Sequence, residues 1–277
     1  MSRSFQAHAS NMKFEFGENW KKFANRIEES QIFEAQASLT HVLQSTDLAG
    51  KRFLDVGSGS GLLSLAASRL GAEVHSFDID LQSVEATLQL KQRYSVKDSS
   101  WHIEKGSALD GEYIASLGTF DIVYCWGVLH HTGAMWKALQ NISLLVAEKG
   151  ILVIAIYNDQ GRASQYWLRI KEIYNWLPSW ARFIVLGPAL VRLWGPTTLR
   201  DFFSGQPFHT WMAYGKERGM APWRDVIDWV GGYPFEVAKP EGIFEFYHRR
   251  GFVLINLKTC AGGRGCNEFV FQRGEML

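Results

Sequence analysis

The chain has 277 residues, 47% of them hydrophobic, which is enough apolar material to bury one elaborated core. Its 29 basic and 28 acidic residues leave a formal net charge of +1, so the positive surplus that dedicated duplex nucleic-acid binding needs is absent. Charged residues make up only 21% of a chain that is rich in aromatic side chains, a composition that excludes global disorder.

The predicted elements begin with an N-terminal helical cap, residues 1–50, whose main helix spans 28–43. Over residues 51–157, short apolar runs alternate with longer stretches of helical spacing. This alternation predicts parallel strands joined by crossover helices, in a sheet covered on both faces. The strand candidates are residues 52–56, 73–77, 101–104, 120–125 and 150–156.

The next segment, residues 158–247, differs from the rest of the chain in composition. Between residues 157 and 247 lie 20 of the 38 aromatic residues. Helical spacing ends at Pro178, and later prolines are expected to divide the segment into short pieces: Pro188, Pro196, Pro207, Pro222, Pro234 and Pro240. We interpret the segment as an inserted helical subdomain. Residues 252–259 and 268–272 then predict a terminal hairpin that completes a core of residues 51–157 and 248–277.

The cysteines and the lengths of the apolar runs indicate the cellular compartment. Cys125, Cys260 and Cys266 form no CxxC pair, and the first twenty residues hold no apolar stretch of seven or more. These features predict reduced thiols in a cytoplasmic protein without a secretory signal. The most lipid-like segment, residues 183–194, has about twelve residues, whereas a spanning helix needs about twenty. Weak contact with a membrane surface is an open alternative for this segment.

A glycine-rich loop carries the strongest functional signal. Gly57, Gly59 and Gly61 interrupt an apolar strand and open a helix, and their missing Cβ atoms would let a ligand lie against the backbone. Asp78 follows the second strand, 21 residues beyond Gly57, a spacing typical of a carboxylate that binds the ribose of an adenosine. Leu62 stands where a dinucleotide fingerprint needs its third glycine, and no lysine follows as in a phosphate-binding loop.

These residues resemble the class I S-adenosylmethionine-dependent methyltransferase family, and the likeness covers about residues 50–157. The matching motifs, in chain order, are DVGSGSG, FDID, KGSALD and FDIVYCWGVLHHT. Within the family, LHHT and the following GILVIAIYND look similar to the small-molecule methylases grouped with quinone-ring methyltransferases. They are less similar to the methyltransferases that modify wobble uridine in tRNA.

The resemblance implies a Rossmann-like, doubly wound α/β fold whose seven-stranded sheet is mostly parallel, with the last strand antiparallel. It implies S-adenosylmethionine as the cofactor. In this sequence the matching donor-binding positions are Asp55, Gly57, Ser58, Gly59, Gly61, Asp78, Ile79, Ser107 and Ala108. The family uses the acid at Asp55 to fix the loop and to meet the methionine ammonium, and a purely local cap is the alternative. Ser107 stands where the adenine-side turn often carries an acid, so a backbone carbonyl or Asp110 would hold adenine N6.

Three further residues are candidates for donor contacts. Cys125 and Trp126 end the fourth strand, and open α/β sheets bind ligands at the carboxyl ends of their strands. A core aromatic is the alternative for Trp126. In the family, N-terminal segments often close over the cofactor, which makes Trp20 a candidate. The alternative is that Trp20 joins Phe14, Phe16 and Phe23 in an aromatic staple of the cap.

Candidate catalytic residues follow the fourth and fifth strands. His130 and His131 form the chain's only adjacent histidine pair, and an imidazole ordinarily titrates near neutral pH, as a general base should. We expect His131 to face the acceptor and His130 to bond the loop backbone. Asn158 follows the fifth strand and could orient the acceptor, or belong to a polar turn. No third ligand accompanies the histidine pair, so no metal site is predicted.

The sequence therefore predicts a methyltransferase of the EC 2.1.1 type that acts on a hydroxyl, or an amine, of a small apolar or aromatic molecule. The aromatic insertion would serve as a lid and substrate wall, although a satellite core accounts for many of its rings. Methylation of tRNA or a peptide is an alternative that the near-zero charge disfavours. A non-catalytic adapter domain that binds S-adenosylmethionine is the alternative from another class.

Overall fold

A computed structural model describes residues 17–94, 101–218 and 222–274 of the chain. Within these residues the chain forms two compact units. A sheet unit contains residues 17–160 and 236–274, and a helical unit contains residues 161–235.

The sheet unit is built on seven strands in the order β3-β2-β1-β4-β5-β7-β6. Strand β7 is antiparallel to both of its neighbours, and the other pairs are parallel. The strands are β1 (Arg52–Val56), β2 (Glu73–Asp78), β3 (Trp101–Lys105), β4 (Phe120–Trp126), β5 (Val146–Tyr157), β6 (Phe252–Lys258) and β7 (Cys266–Arg273). This architecture confirms the predicted fold class, including the antiparallel last strand and the terminal hairpin.

Both faces of the central strands β1, β4 and β5 are largely buried, as their nearly continuous apolar residues predict. Successive side chains of β1 point to opposite faces: Leu54 packs in a core cluster with Leu139, whereas Phe53 packs in another with Ile32 and Leu65. Seven helices of the sheet unit supply these layers: Gly17–Ala24, Glu29–Leu43, Leu62–Arg69, Leu81–Arg93, Gly111–Ser116, Met135–Ser143 and Pro240–His248.

The last of these helices corrects a predicted boundary. Residues 236–247 were expected in the insertion, but they belong to the sheet unit. The reason is burial: Ile243 and Tyr247 are fully buried in the same core cluster as Phe252 and Phe271. Tyr247 therefore packs on the sheet, with Phe246 partly buried against the same cluster.

Strand β5 also differs from the prediction, since it begins at Val146 and not at residue 150. Val146 pairs with Phe120 of β4, and an irregularity in the register separates this pair from that of Ile122 and Ile151. The sequence pattern does not predict strand residues before Gly150, because the charged pair Glu148 and Lys149 interrupts the apolar run there.

The helical unit consists of the helices Arg162–Trp176, Phe183–Phe203, His209–Arg218 and Pro222–Gly231. Pro188 and Pro196 lie inside the second helix, so the expectation that they would end helices was wrong. A proline in a helix interior costs about 3 kcal/mol or more, and packing of the buried Leu186 and Ala189 offsets part of that cost. Across the described ranges, no helix combines the length and apolar character that crossing a bilayer requires.

Candidate active site

The sheet topology brings the predicted site residues to one edge. Strand order reverses between β1 and β4, which are direct neighbours, and ligands of open α/β sheets bind outside the carboxyl ends of the strands at such a point. The loops after β1 to β5 all leave from these carboxyl ends. Asp78 and Trp126 are the last residues of β2 and β4, and the glycine loop, Ser107 and Asn158 lie in the loops that follow β1, β3 and β5.

The glycine loop is tight and held by backbone hydrogen bonds. The amide of Gly57 donates to the carbonyl of Phe77 at 2.8 Å, and the amide of Gly61 donates to the carbonyl of Ser58 at 2.8 Å. Gly57 and Gly61 have φ values of 77° and 80°, which only glycine adopts readily. A Cβ at Gly57 would lie 2.6 Å from Val128. The absence of a side chain at Gly57 therefore makes room for the side chain of Val128, and not only for a ligand.

Asp78 connects the glycine loop to the end of β2. Its Oδ2 accepts a hydrogen bond from the amide of Gly59 at 3.1 Å, and its Oδ1 accepts one from the amide of Asp80 at 2.9 Å. Burial raises the pKa of Asp78, and these two hydrogen bonds oppose the rise. The carboxylate is half-buried, and each oxygen keeps lone pairs for further donors. The following Ile79 is exposed.

Asp55 lies at the end of a buried hydrogen-bond chain that the sequence does not reveal. The indole of Trp101 donates to Ser76 Oγ at 2.8 Å, and Ser64 Oγ donates to Asp55 Oδ2 at 2.5 Å. The hydroxyls of Ser64 and Ser76 are 2.7 Å apart, so Ser76 donates to Ser64 in this arrangement. Burial raises the pKa of Asp55 to about 7, and the nearby charge of Asp78 adds to the rise.

Trp20 lies over the glycine loop. Its helix, Gly17–Ala24, is anchored to the helix after β2 because the amide of Gly17 donates to Asp80 Oδ2 at 2.9 Å. A Cβ at Gly59 would be 3.1 Å from the Trp20 indole. Trp20 also makes an edge contact with Phe23, with ring centroids 6.1 Å apart, which is one contact of the predicted staple. Phe14 and Phe16 lie outside the described residues.

The adenine-side turn is closed by side-chain caps. Asp110 Oδ1 accepts from the amides of Glu112 and Tyr113, both at 3.1 Å, so this oxygen caps the helix Gly111–Ser116. Ser107 Oγ accepts from the amide of Leu109 at 3.2 Å. Ala108 is buried, and its carbonyl accepts from Asn141 Nδ2 at 2.8 Å. The carbonyl of Ser107 also accepts a hydrogen bond, from the amide of Asp110 at 3.1 Å, so a backbone carbonyl and Asp110 both stay predicted holders of adenine N6.

The two residues at the end of β4, Cys125 and Trp126, differ in burial. Cys125 is fully buried in a core cluster, and burial raises the pKa of its thiol. The side chain of Cys125 therefore packs the core, which differs from the expectation that it would face a ligand. Trp126 is 38% exposed, and its ring stacks on Tyr124 with centroids 5.8 Å apart. Its exposure is not that of a core aromatic.

His130 and His131 form an aromatic cluster with Tyr157. His130 is fully buried, and its ring lies 3.7 Å from that of Tyr157. Its Nδ1 accepts from the amide of Tyr157 at 3.3 Å, and its carbonyl accepts from the amide of Glu236 at 2.9 Å. His131 is half-buried and meets both other rings edge-on, at 4.6 and 5.4 Å. The more accessible histidine is therefore His131.

Asn158 is buried and holds the terminal hairpin. Its Nδ2 donates to the carbonyl of Gly263 at 3.0 Å, and its Oδ1 accepts from Asn267 Nδ2 at 3.1 Å. Both ends of the amide are thus occupied, one by the turn between β6 and β7 and the other by Asn267 near the start of β7. Asn158 therefore positions the terminal hairpin, which differs from the expectation that it orients an acceptor.

Glu236 is a site residue that sequence reasoning missed. Its two carboxylate oxygens accept from the amide of Met135 at 2.9 and 3.1 Å, so Glu236 caps the helix that follows the histidine pair. Its own amide donates to His130. Glu236 is 101 residues from Met135, and no local pattern marks it.

This fold and this edge define a Rossmann-like α/β protein with a glycine loop and a ribose-type acid. Residues 29–214 match the methyltransferase domain family, and the chain belongs to that family. It is similar to the ubiquinone biosynthesis O-methyltransferase of Parvibaculum lavamentivorans, with 30% identity over 147 residues, 49% of this chain and 53% of the relative. The chain spans about half the length of the curated relatives it matches.

A second relative matches a shorter region. The ribosomal protein L11 methyltransferase of Tolumonas auensis is 51% identical over 57 residues, 20% of each chain. Among solved structures, magnesium protoporphyrin IX methyltransferase from Synechocystis superposes with a TM-score of 0.52 at 15% identity, covering 88% of this chain and 83% of that one. The N-methyltransferase NodS of Bradyrhizobium japonicum gives 0.51 at 12%, covering 94% and 100%. These likenesses show the fold.

Proposed function

We propose that this chain is an S-adenosylmethionine-dependent methyltransferase of the EC 2.1.1 type. Its acceptor is a hydroxyl, or an amine, of a small apolar or aromatic molecule. The observation that carries the proposal is the hydrogen bond from the Gly59 amide to Asp78 Oδ2. It joins a family-type glycine loop and a ribose-type acid at the edge where such sheets bind ligands.

The residues present fit this donor. Asp78 has free lone pairs for the ribose hydroxyls, and the loop Gly57–Gly61 backs the amino-acid portion beside Asp55. Trp20 and Trp126 border the loop and the end of β4, and the turn at Ser107 borders the adenine. The donor supplies an electrophilic sulfonium methyl group. The protein's task is then to hold an acceptor atom in line about 3 Å away, which is worth roughly 7–11 kcal/mol.

His131 is the proposed proton acceptor. Its half-buried ring is steadied by edge contacts with His130 and Tyr157, which limits its orientations. A general base contributes about 10² to 10⁴-fold when a hydroxyl loses its proton as the methyl group arrives. His130 and Glu236 hold the backbone that carries His131.

The acceptor class rests on the relatives and on the charge. Several relatives are named as ubiquinone biosynthesis O-methyltransferases, which supports a hydroxyl on a small ring-containing molecule. Peptide and tRNA acceptors are the alternatives, and the net charge of +1 disfavours tRNA.

The proposed location is the cytoplasm, with weak attachment to a membrane surface. The helix Phe183–Phe203 exposes Phe183, Ile184 and Phe202. Exposed apolar side chains of a helix can bind at a lipid surface, although this helix has only Arg192 and Arg200 as basic residues for an anionic one. Sedimentation with phosphatidylglycerol vesicles should recover the protein, and less of a Phe183→Ser variant. Equal recovery of the two, or none with vesicles, contradicts this attachment.

The proposed function is tested by calorimetry and turnover. S-adenosylmethionine and its demethylated product should bind at about micromolar Kd, whereas NAD should not, because Leu62 replaces the third dinucleotide glycine. Labelled donor with a panel of small phenols and amines should then give methylated product. NAD binding without sulfonium binding contradicts the cofactor. Donor binding without transfer to small molecules, tRNA or peptides favours the adapter alternative.

A further inference from the structure

Strands β2 and β3 bring two histidines and a glutamate together away from the proposed donor site. His75 and His102 are direct partners in the parallel register, and Glu104 lies two residues beyond His102 on the same face of β3. His75 Nε2 is 2.9 Å from Glu104 Oε1, and His102 Nε2 is 3.3 Å from Glu104 Oε2. One ligand atom from each residue fits within a span of 4.8 Å.

We propose that His75, His102 and Glu104 bind a Zn²⁺ ion that joins edge strand β3 to β2. In a tetrahedral zinc site, bonds of about 2.0–2.1 Å place neighbouring ligand atoms about 3.3 Å apart. The two histidine–glutamate distances are close to this value, and the full span of up to 4.8 Å would have to shorten when the ion binds. Two imidazoles with one carboxylate suit zinc, whereas magnesium and calcium prefer oxygen ligands alone.

A hydrogen bond and two ring contacts hold the side chains of the cluster in place. Tyr113 donates from its hydroxyl to Glu104 Oε1 at 2.8 Å, and hydrogen bonds of this kind orient a ligating carboxylate. The His75 ring packs edge-on against His102 at 4.7 Å and against Phe120 at 6.0 Å. The His102 side chain is 62% exposed, so one side of the site is open to solvent, where water can complete the coordination.

The proposed zinc site is distinct from the donor site. His75 lies three residues before Asp78 and Glu104 three before Ser107, about 10 Å along each strand. The ion would therefore stabilise the edge of the sheet without touching the donor. No metal site is predicted from the sequence, because His130 and His131 are the only adjacent histidines and no third ligand accompanies them. Ligands on neighbouring strands are far apart in sequence, and only the register joins them.

Zinc titration of the metal-free, full-length protein tests the proposal. Calorimetry should give one Zn²⁺ per chain, and the melting temperature should rise with Zn²⁺. His102→Ala should weaken binding by more than about tenfold, since loss of even a partner outside the coordination sphere costs about 10–100-fold. His102 is exposed, so this variant should fold. The control is His248→Ala, another exposed histidine, which should bind Zn²⁺ normally.

Two further measurements complete the test. Co²⁺ should give visible absorption bands of a tetrahedral site, and these bands should be lost in both His102→Ala and Glu104→Gln. S-adenosylmethionine affinity should be unchanged in His102→Ala, which separates this proposal from the proposed function. Absence of saturable Zn²⁺ binding, or Zn²⁺ affinity in both variants equal to that of the unsubstituted protein, overturns the zinc site and leaves a hydrogen-bonded cluster.

Discussion

The amide of Gly59 donates to Asp78 Oδ2 at 3.1 Å, so the acid that ends β2 and the loop that follows β1 are held as one unit. The carbonyl of Phe77 accepts from the amides of Gly57 and Ser58 at 2.8 and 3.2 Å and reinforces the connection. A donor therefore meets a loop whose shape is already set. Such preorganisation lowers the cost of ordering on binding.

Replacing Asp78 by alanine should weaken S-adenosylmethionine binding by about tenfold or more, because it removes charge-assisted hydrogen bonds to the ribose. Calorimetry measures the change, and circular dichroism checks the fold. Glu73→Ala, an exposed acid on the same strand, is the matched control and should bind normally. An Asp78→Ala protein that is folded and binds the donor with unchanged Kd would remove Asp78 from the site.

Asp55 should make stability fall as pH rises. Its pKa is about 7 in the folded chain and about 3.9 in an unfolded one. Between those values the native state binds more protons, so the free energy of unfolding decreases with pH, by up to about 4 kcal/mol. Urea unfolding of Asp55→Asn, compared from pH 5 to 8, should show a flatter profile. Parallel profiles for the two proteins contradict the assignment.

Substitution of the two histidines should have different effects. His131→Ala should reduce turnover by about 10² or more with little change in donor affinity, because it removes the proton acceptor. His130→Ala should cost more stability, since its buried ring packs on Tyr157 at 3.7 Å. Single-turnover kinetics and thermal unfolding distinguish the two effects. Near-normal turnover of His131→Ala would mean that proximity alone carries the reaction.

Lys171 should oppose folding at neutral pH. Its ammonium is buried between the rings of Trp229 and Phe235, 4.6 and 4.7 Å from their centroids, and it donates to the carbonyl of Trp229. Burial lowers the pKa of Lys171 to about 7. From pH 7 to about 10 the unfolded chain binds more protons, so stability should rise with pH.

Lys171→Met should remove that rise and leave the protein at least as stable at pH 7, because methionine fills a similar volume without a charge. Urea unfolding at pH 7 and pH 9 measures both effects. Arg169→Met, an exposed basic residue of the same helix, is the control and should keep the pH dependence. A Lys171→Met protein with an undiminished rise would show that another group is responsible.

The sequence alone determined the architecture around the donor edge. The run RFLDV begins and ends at the observed limits of β1, and its last four residues are buried, as expected of a strand covered on both faces. Gly57, Gly59 and Gly61 predicted a loop between the strand and the helix, and all three adopt positive φ there. Such features are local, since backbone sterics and burial act within a few residues.

Only the tertiary structure decided which side chains meet. Cys125 and Trp126 are adjacent in sequence, yet the pleat sends one into the core and leaves the other exposed. Glu236 reaches Met135, Asn267 reaches Asn158, and His75 reaches Glu104, each across a long stretch of chain. Strand register and the packing of distant segments create these contacts, and neither produces a periodic pattern that could be recognised in the sequence.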